Sequence, residues 1–232
     1  MRGIKFGEKH SYRDFGLLLT AKEIGSAKPK LEQVEVDGMD GKLDLTDSLG
    51  DVKYENRHLS FTFTIIGNQP DFFEKYSEVQ NFLHGENMRV VIDDDPCLYY
   101  EGRCTVNRFK TSKRTATIVI DVDATPYKQD IYGAGDDWLW DDFSFVSGII
   151  YPSEYNVSGS LSVEIPIRKK AISPIFTASA DGMKVASADG KYYNLKRGIA
   201  MKIPEIRVTT KHPVLHFIGT GMVKIQYRGG LL

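Results

Sequence analysis

Residues 59–65, Leu-Ser-Phe-Thr-Phe-Thr-Ile, alternate apolar and polar side chains, which puts Leu59, Phe61, Phe63 and Ile65 on one face of a strand. Residues 114–122 repeat the pattern with Ala116, Ile118, Ile120 and Val122. Shorter strands are predicted at residues 3–6, 17–20 and 33–36, the last running into Asp37-Gly38 and Asp40-Gly41, residue types that tolerate the positive φ of a tight turn. Residues 88–92 and 98–106 form a predicted hairpin around Asp93-Asp94-Asp95-Pro96, and residues 111–113 mark a further turn. Only residues 71–84 change period: Phe72, Phe73, Tyr76, Val79 and Leu83 make a helical stripe, with Asp71 as N-cap, Glu74 three residues on and Gly85 as C-cap.

The strong alternation stops at Ala124-Thr125-Pro126-Tyr127-Lys128, and a second strand-rich segment follows. Residues 131–142 read as a linker or long loop, after which strands are predicted at 143–150, 161–167, 175–178, 183–186, 192–195, 203–209, 214–218 and 222–227. Ala188-Asp189-Gly190 reads as a hairpin turn, and Gly219-Thr220-Gly221 as a tight turn between two strands. The final strand, up to Tyr227 and its Gly229-Gly230 turn, fits either an edge strand that completes a sandwich or an exposed strand that pairs with another subunit. Many short strands at this spacing predict a β-sandwich or jelly roll, and no fixed period marks a repeat architecture. The expected organisation is mainly β, with one domain over 1–130 that carries the helix and an all-β domain over 131–232.

Composition narrows the partners. With 30 Lys and Arg against 31 Asp and Glu, the chain has a formal charge of −1 and no broad footprint for nucleic acid or an anionic membrane. No stretch approaches the ~20 apolar residues of a membrane span, and residues 1–6 lack the apolar run of a secretion signal, so synthesis in a cytoplasm is expected. On one extended strand Cys97 and Cys104 would lie roughly 23 Å apart on opposite faces, which predicts two thiols and no disulfide.

No catalytic, cofactor or metal site is expected. Asp93-Asp94-Asp95 has the oxygens a hard cation uses but lacks the glycine and distal glutamate of a calcium loop. Asp136, Asp137, Asp141 and Asp142 around Trp138 and Trp140 combine carboxylates with aromatic platforms, as sugar sites do, yet adjacent residues on a strand face opposite ways and make a poor acid–base pair. His212 and His216 would stand about 13 Å apart on a strand, too far to share one ion. No nucleophile elbow or dinucleotide fingerprint is present.

The order of features resembles the distal tail protein (Dit) family of long-tailed siphophages. The resemblance rests on Gly3-Ile4-Lys5-Phe6-Gly7, residues 11–17, Val34-Glu35-Val36-Asp37-Gly38-Met39-Asp40-Gly41, the strand at 59–65 leading to one helix, Leu98-Tyr99-Tyr100-Glu101-Gly102-Arg103, Thr125-Pro126-Tyr127 and the ending Gly221 to Leu231. It implies an N-terminal β-sandwich-like domain with one helix that forms a homo-hexameric ring, single or double. It also implies a C-terminal galectin-like or carbohydrate-module-like β-sandwich that projects outward. The implied partners are the major tail tube protein, a tail-associated lysin or tip protein and a receptor-binding protein, in a virion hub at the distal tail tip. The alternative expectation is a carbohydrate-binding module for bacterial cell-wall polysaccharide.

Overall fold

A computed structural model of the 232-residue chain describes residues 2–46, 48, 51–67, 69–136, 151–187 and 190–232. The predicted strand at 143–150, Trp138, Trp140, Asp137, Asp141, Asp142, Ala188 and Asp189 lie outside the described residues. The fold is mainly β and β-sandwich-like, with one helix and antiparallel sheets. Contacts along the chain gather into two compact units, Met1–Lys128 and Gln129–Leu232.

The first unit contains β1 (Ile4–Phe6), β2 (Lys9–His10), β3 (Leu18–Ile24), β4 (Gln33–Glu35), β5 (Lys42–Asp44), β6 (Arg57–Ile66), α1 (Gln69–Leu83), β7 (Asn87–Ile92), β8 (Leu98–Thr111) and β9 (Thr115–Ala124). Its main sheet runs β2-β1-β7-β8-β9-β6-β3. In a flat sheet β1 and β6, four places apart, would stand about 19 Å from each other. Instead the Phe6 ring meets the rings of Phe61 and Phe63 at 6.0 and 6.3 Å. The sheet therefore curls on itself, and its inner face becomes the core. Leu59, Phe61, Phe63, Ile118, Ile120 and Val122 have no exposed surface there, as the alternation predicts.

Helix α1 closes one side of this core against β8 and β9. It begins two residues before the predicted cap, so Asp71 sits inside the first turn. Pro70 explains the earlier start, because a first-turn N–H has no helical acceptor to lose. Phe72, Val79 and Leu83 are fully buried, but Phe73, predicted in the same stripe, is 58% exposed. Strand β8 runs five residues past the predicted 106 because its pairing with β9 continues through a bulge between Val106 and Arg108.

The second unit contains β10 (Lys128–Asp130, straddling the boundary), β11 (Glu154–Glu164), β12 (Ile175–Ala178), β13 (Lys184–Ala186), β14 (Tyr192–Asn194), β15 (Met201–Lys202), β16 (Val214–Gln226) and β17 (Gly230–Leu231). Here three expectations are corrected. Residues 214–227 are not two strands about a turn: β16 runs unbroken through Gly219 and Gly221, with φ of 127° and 144°, and Gly219 sits opposite Gly159 of β11. The glycines are needed because β16 changes neighbours there, from β13 at residues 216–218 to β12 at 223–226. A Cβ on Gly219 would lie 3.0 Å from Met183 Cα. Nor is β16 an edge strand, since β11 flanks it along its length and β12 and β13 flank its other side.

Residues 203–209 are not a strand either. Pro204 has no N–H for a ladder, Ile206 N–H donates to Ile203 O at 3.1 Å, and Val208 only bridges Ile172. Ile203, Ile206 and Val208 are buried nevertheless. Strand β11 starts seven residues before the predicted 161, in a stretch with Asn156, Ser158 and Ser160, because pairing with β16 extends it. Phe176 and Phe217, with rings 6.1 Å apart, centre this core.

Candidate assembly surfaces

Beyond Ile24 and before Arg57 the first unit extends a two-stranded arm. Gly25 N–H donates to His58 O, Glu55 N–H to Lys28 O, Lys30 N–H to Lys53 O and Leu45 N–H to Glu32 O, each at 2.8 Å, and Pro29 bridges Tyr54. These bonds carry the β3–β6 pairing outward into the β4–β5 hairpin. At its end Gly38 and Gly41 both take φ of 81°, the left-handed conformation that Asp-Gly pairs are suited to. Across β4 and β5, Val34 pairs with Leu43 and Glu35 with Lys42. The hairpin thus has one apolar face and one charged face, the latter tied by a Lys42 Nζ–Glu35 Oε1 pair at 2.9 Å.

That apolar face has no cover among the described residues. Val34, Val36, Met39 and Leu43 on and beside it are each 42–47% exposed, while Leu31, 56% exposed, falls by alternation on the Gln33–Glu35 side. A two-stranded ribbon alone is marginal in water, and a concentrated apolar patch on a projecting element marks an interaction surface. Five carboxylates, Glu32, Glu35, Asp37, Asp40 and Asp44, against the single Lys42 make residues 31–44 strongly acidic.

The opposite end of the same sheet is basic. The turn joining β8 to β9, closed by Ser112 N–H to Thr115 O at 2.8 Å, is flanked by Arg108, Lys110, Lys113 and Arg114, all exposed, with no acidic residue in 108–114. Beside it Phe109 stacks on Tyr76 of α1 at 4.3 Å and meets the Phe73 edge at 5.5 Å. Phe73 on the helix side, 58% exposed, and Ile66 on the outer face of β6, 69% exposed, are uncovered at this end.

The acidic turn Asp93-Asp94-Asp95 is engaged by other groups of the chain. Asp93 Oδ2 accepts from His10 Nε2 at 3.1 Å and from Gly3 N–H at 2.8 Å. Asp94 pairs with Lys22 and with Arg2 Nη1 at 3.0 Å, and Asp95 with Lys128 Nζ at 2.8 Å. The hydrogen bond from Lys22 is the main cause that holds the Asp94 carboxyl below the usual range. The turn therefore fastens residues 2–3, β2, β3 and Lys128 to the β7–β8 hairpin.

His216 Nδ1 instead pairs with Ser162 Oγ at 2.9 Å, and His212 N–H closes a turn onto Thr209 O at 3.0 Å. Asp136 is bound by Arg228 and accepts from Gly133 N–H at 2.9 Å. Among the described residues no group of His, Cys, Asp and Glu is arranged to hold a metal, and no helix is long and apolar enough to cross a membrane. Neither cysteine is in a disulfide.

The arm and the basic end are the surfaces that strand-by-strand reading of the sequence passes over. Val34 to Gly41 registers as a strand and turn, but β5 offers only Leu43 as an apolar residue and gives no alternation. The signal for the basic end is the run Arg-Phe-Lys-Thr-Ser-Lys-Arg at 108–114.

No protein-family model matches the chain, and no curated protein matches it. Among solved structures the chain is similar over 100% of its length, and over 100% of the other chain, to the crystal structure of SPP1 Dit (gp 19.1), described as a paradigm of the hub adsorption apparatus in phages infecting Gram-positive bacteria. The TM-score is 0.63 at 12% sequence identity. The chain thus has a Dit-like fold.

Proposed function

We propose that this chain is a non-enzymatic structural subunit of a phage tail hub, assembling with copies of itself into a hexameric ring at the distal tail tip of the virion. The observation that carries the reading is the arm: an amphipathic two-stranded ribbon with its apolar face uncovered has a physical reason to be buried by a partner. The Dit-like fold supports the choice of a tail hub among possible assemblies. In this reading the ring joins the tail tube to a lysin or tip protein and holds receptor-binding machinery. The first unit builds the ring, the second decorates it, and synthesis takes place in the bacterial host cytoplasm.

The test is the mass of the purified full chain by light scattering behind gel filtration, together with negative-stain images. The expected result is a hexamer, or two hexamers back to back, seen as rings. A chain that stays strictly monomeric at micromolar concentration overturns the reading.

A further inference from the structure

We infer that the acidic arm of one copy docks on the basic, aromatic end of the next copy's sheet, with Val34, Val36 and Met39 against Phe73, and Asp37 and Asp40 against Lys113 and Arg114. This deepens the assembly proposed above and rests on it.

Three observations fit together. The first is chemical complementarity: the outer part of the arm, residues 31–44, joins exposed apolar side chains to five carboxylates and one lysine, with Lys28, Lys30 and Lys53 at its base, and the β8–β9 end joins exposed Phe73 to four cations. Asp71 and Glu74 are exposed on α1 beside Phe73, so the cations of this end are those of the hairpin turn, Arg108, Lys110, Lys113 and Arg114. The second is position. Strand β6 starts at the arm, with Arg57 opposite Ala124, and ends beside the turn, with Ile66 opposite Thr115. Its ten residues span about 30 Å, and the arm projects from the far end, so a subunit does not cover its own basic end.

The third is symmetry. Two arms laid against each other would juxtapose acidic surfaces, and two basic ends would juxtapose cations, so a two-fold contact through either patch is repulsive. An arm on a neighbour's basic end is attractive and uses two different patches. Such a heterologous contact closes into a ring when each step turns the neighbour by the right fraction of a circle, about a sixth for a hexamer.

The experiment uses the full chain. Met39→Cys and Ser112→Cys are introduced singly and together, mildly oxidised and run on a denaturing gel. Docking predicts a ladder of linked subunits rising to six from the double variant alone. In parallel, Asp37→Lys/Asp40→Lys and Lys113→Glu/Arg114→Glu each raise the concentration at the assembly midpoint at least about tenfold, while the two pairs combined restore it. All four charge changes fall on exposed positions, so circular dichroism should be unchanged, and the swap decides the matter if the cysteine variants fold poorly. Hexamers that give no ladder and ignore the charge reversals overturn the docking and leave the ring standing. A monomeric wild-type chain overturns both.

Discussion

Asp94 and Cys104 illustrate how far single side chains are governed by where the fold puts them. The lowered Asp94 carboxyl contributes stability that is present above its unfolded range and lost on acidification, but a pair near the surface is worth little because water screens it. Cys104 is buried on the inner face of β8, and that burial pushes its thiol from 9.0 up to about 12. Between those two values the unfolded chain releases the proton and the folded chain keeps it, so this residue stabilises the fold fully below pH 9 and loses that effect as pH rises to about 12. One such proton gives a slope of at most about 1.4 kcal/mol per pH unit. Urea unfolding from pH 8 to 11 should show stability falling more steeply for the native sequence than for Cys104→Ala. A thiol reagent at pH 8 should reach Cys104 only after unfolding, and equal slopes with fast native labelling would contradict the burial.

At the level of elements, α1 shows how a stripe divides into inside and outside. Phe72, fully buried, and Phe73, 58% exposed, are neighbours in sequence. Phe72→Ala should cost about 3–5 kcal/mol in urea unfolding of the isolated subunit, and Phe73→Ala less than about 1 kcal/mol. Equal losses would mean that α1 is rotated on the sheet. Elements with strong alternation, such as residues 59–65 and 114–122, are legible in the sequence because each has one dry and one wet face. Strand β16 is less so, since Gly219 and Gly221 look like a turn when only local residues are read. Their cause is non-local, the close approach of Met183 and Ser179. Residues 203–209 mislead in the reverse direction: Ile203, Ile206 and Val208 are buried as a strand's would be, but Pro204 prevents the ladder. The arm was only half legible, because exposed apolar residues without a covering partner carry no period that distinguishes them from a minor strand.

Across the whole molecule, the two cores share no residue: one is built from residues between Ile4 and Ala124, the other from residues between Ala134 and Tyr227. A fragment ending at Lys128 is therefore expected to fold by itself, with a single cooperative unfolding transition, and to keep the assembly of the full chain, measured by light scattering. A fragment that folds but stays monomeric while the full chain assembles would move the assembly surface to the second unit. The unbroken β16 has a temporal consequence as well. Every strand of its sheet except β14 and β15 pairs with it directly, yet it is made after them, and its partner β11 lies about sixty residues earlier in the chain. On the ribosome the second unit must wait as an open set of strands until residue 226 emerges, whereas strands β1 to β9 are all made by residue 124. On the proposed assembly through first units, nascent chains would begin to recruit one another while their second units are still unfolded, and the order of synthesis would become an order of construction.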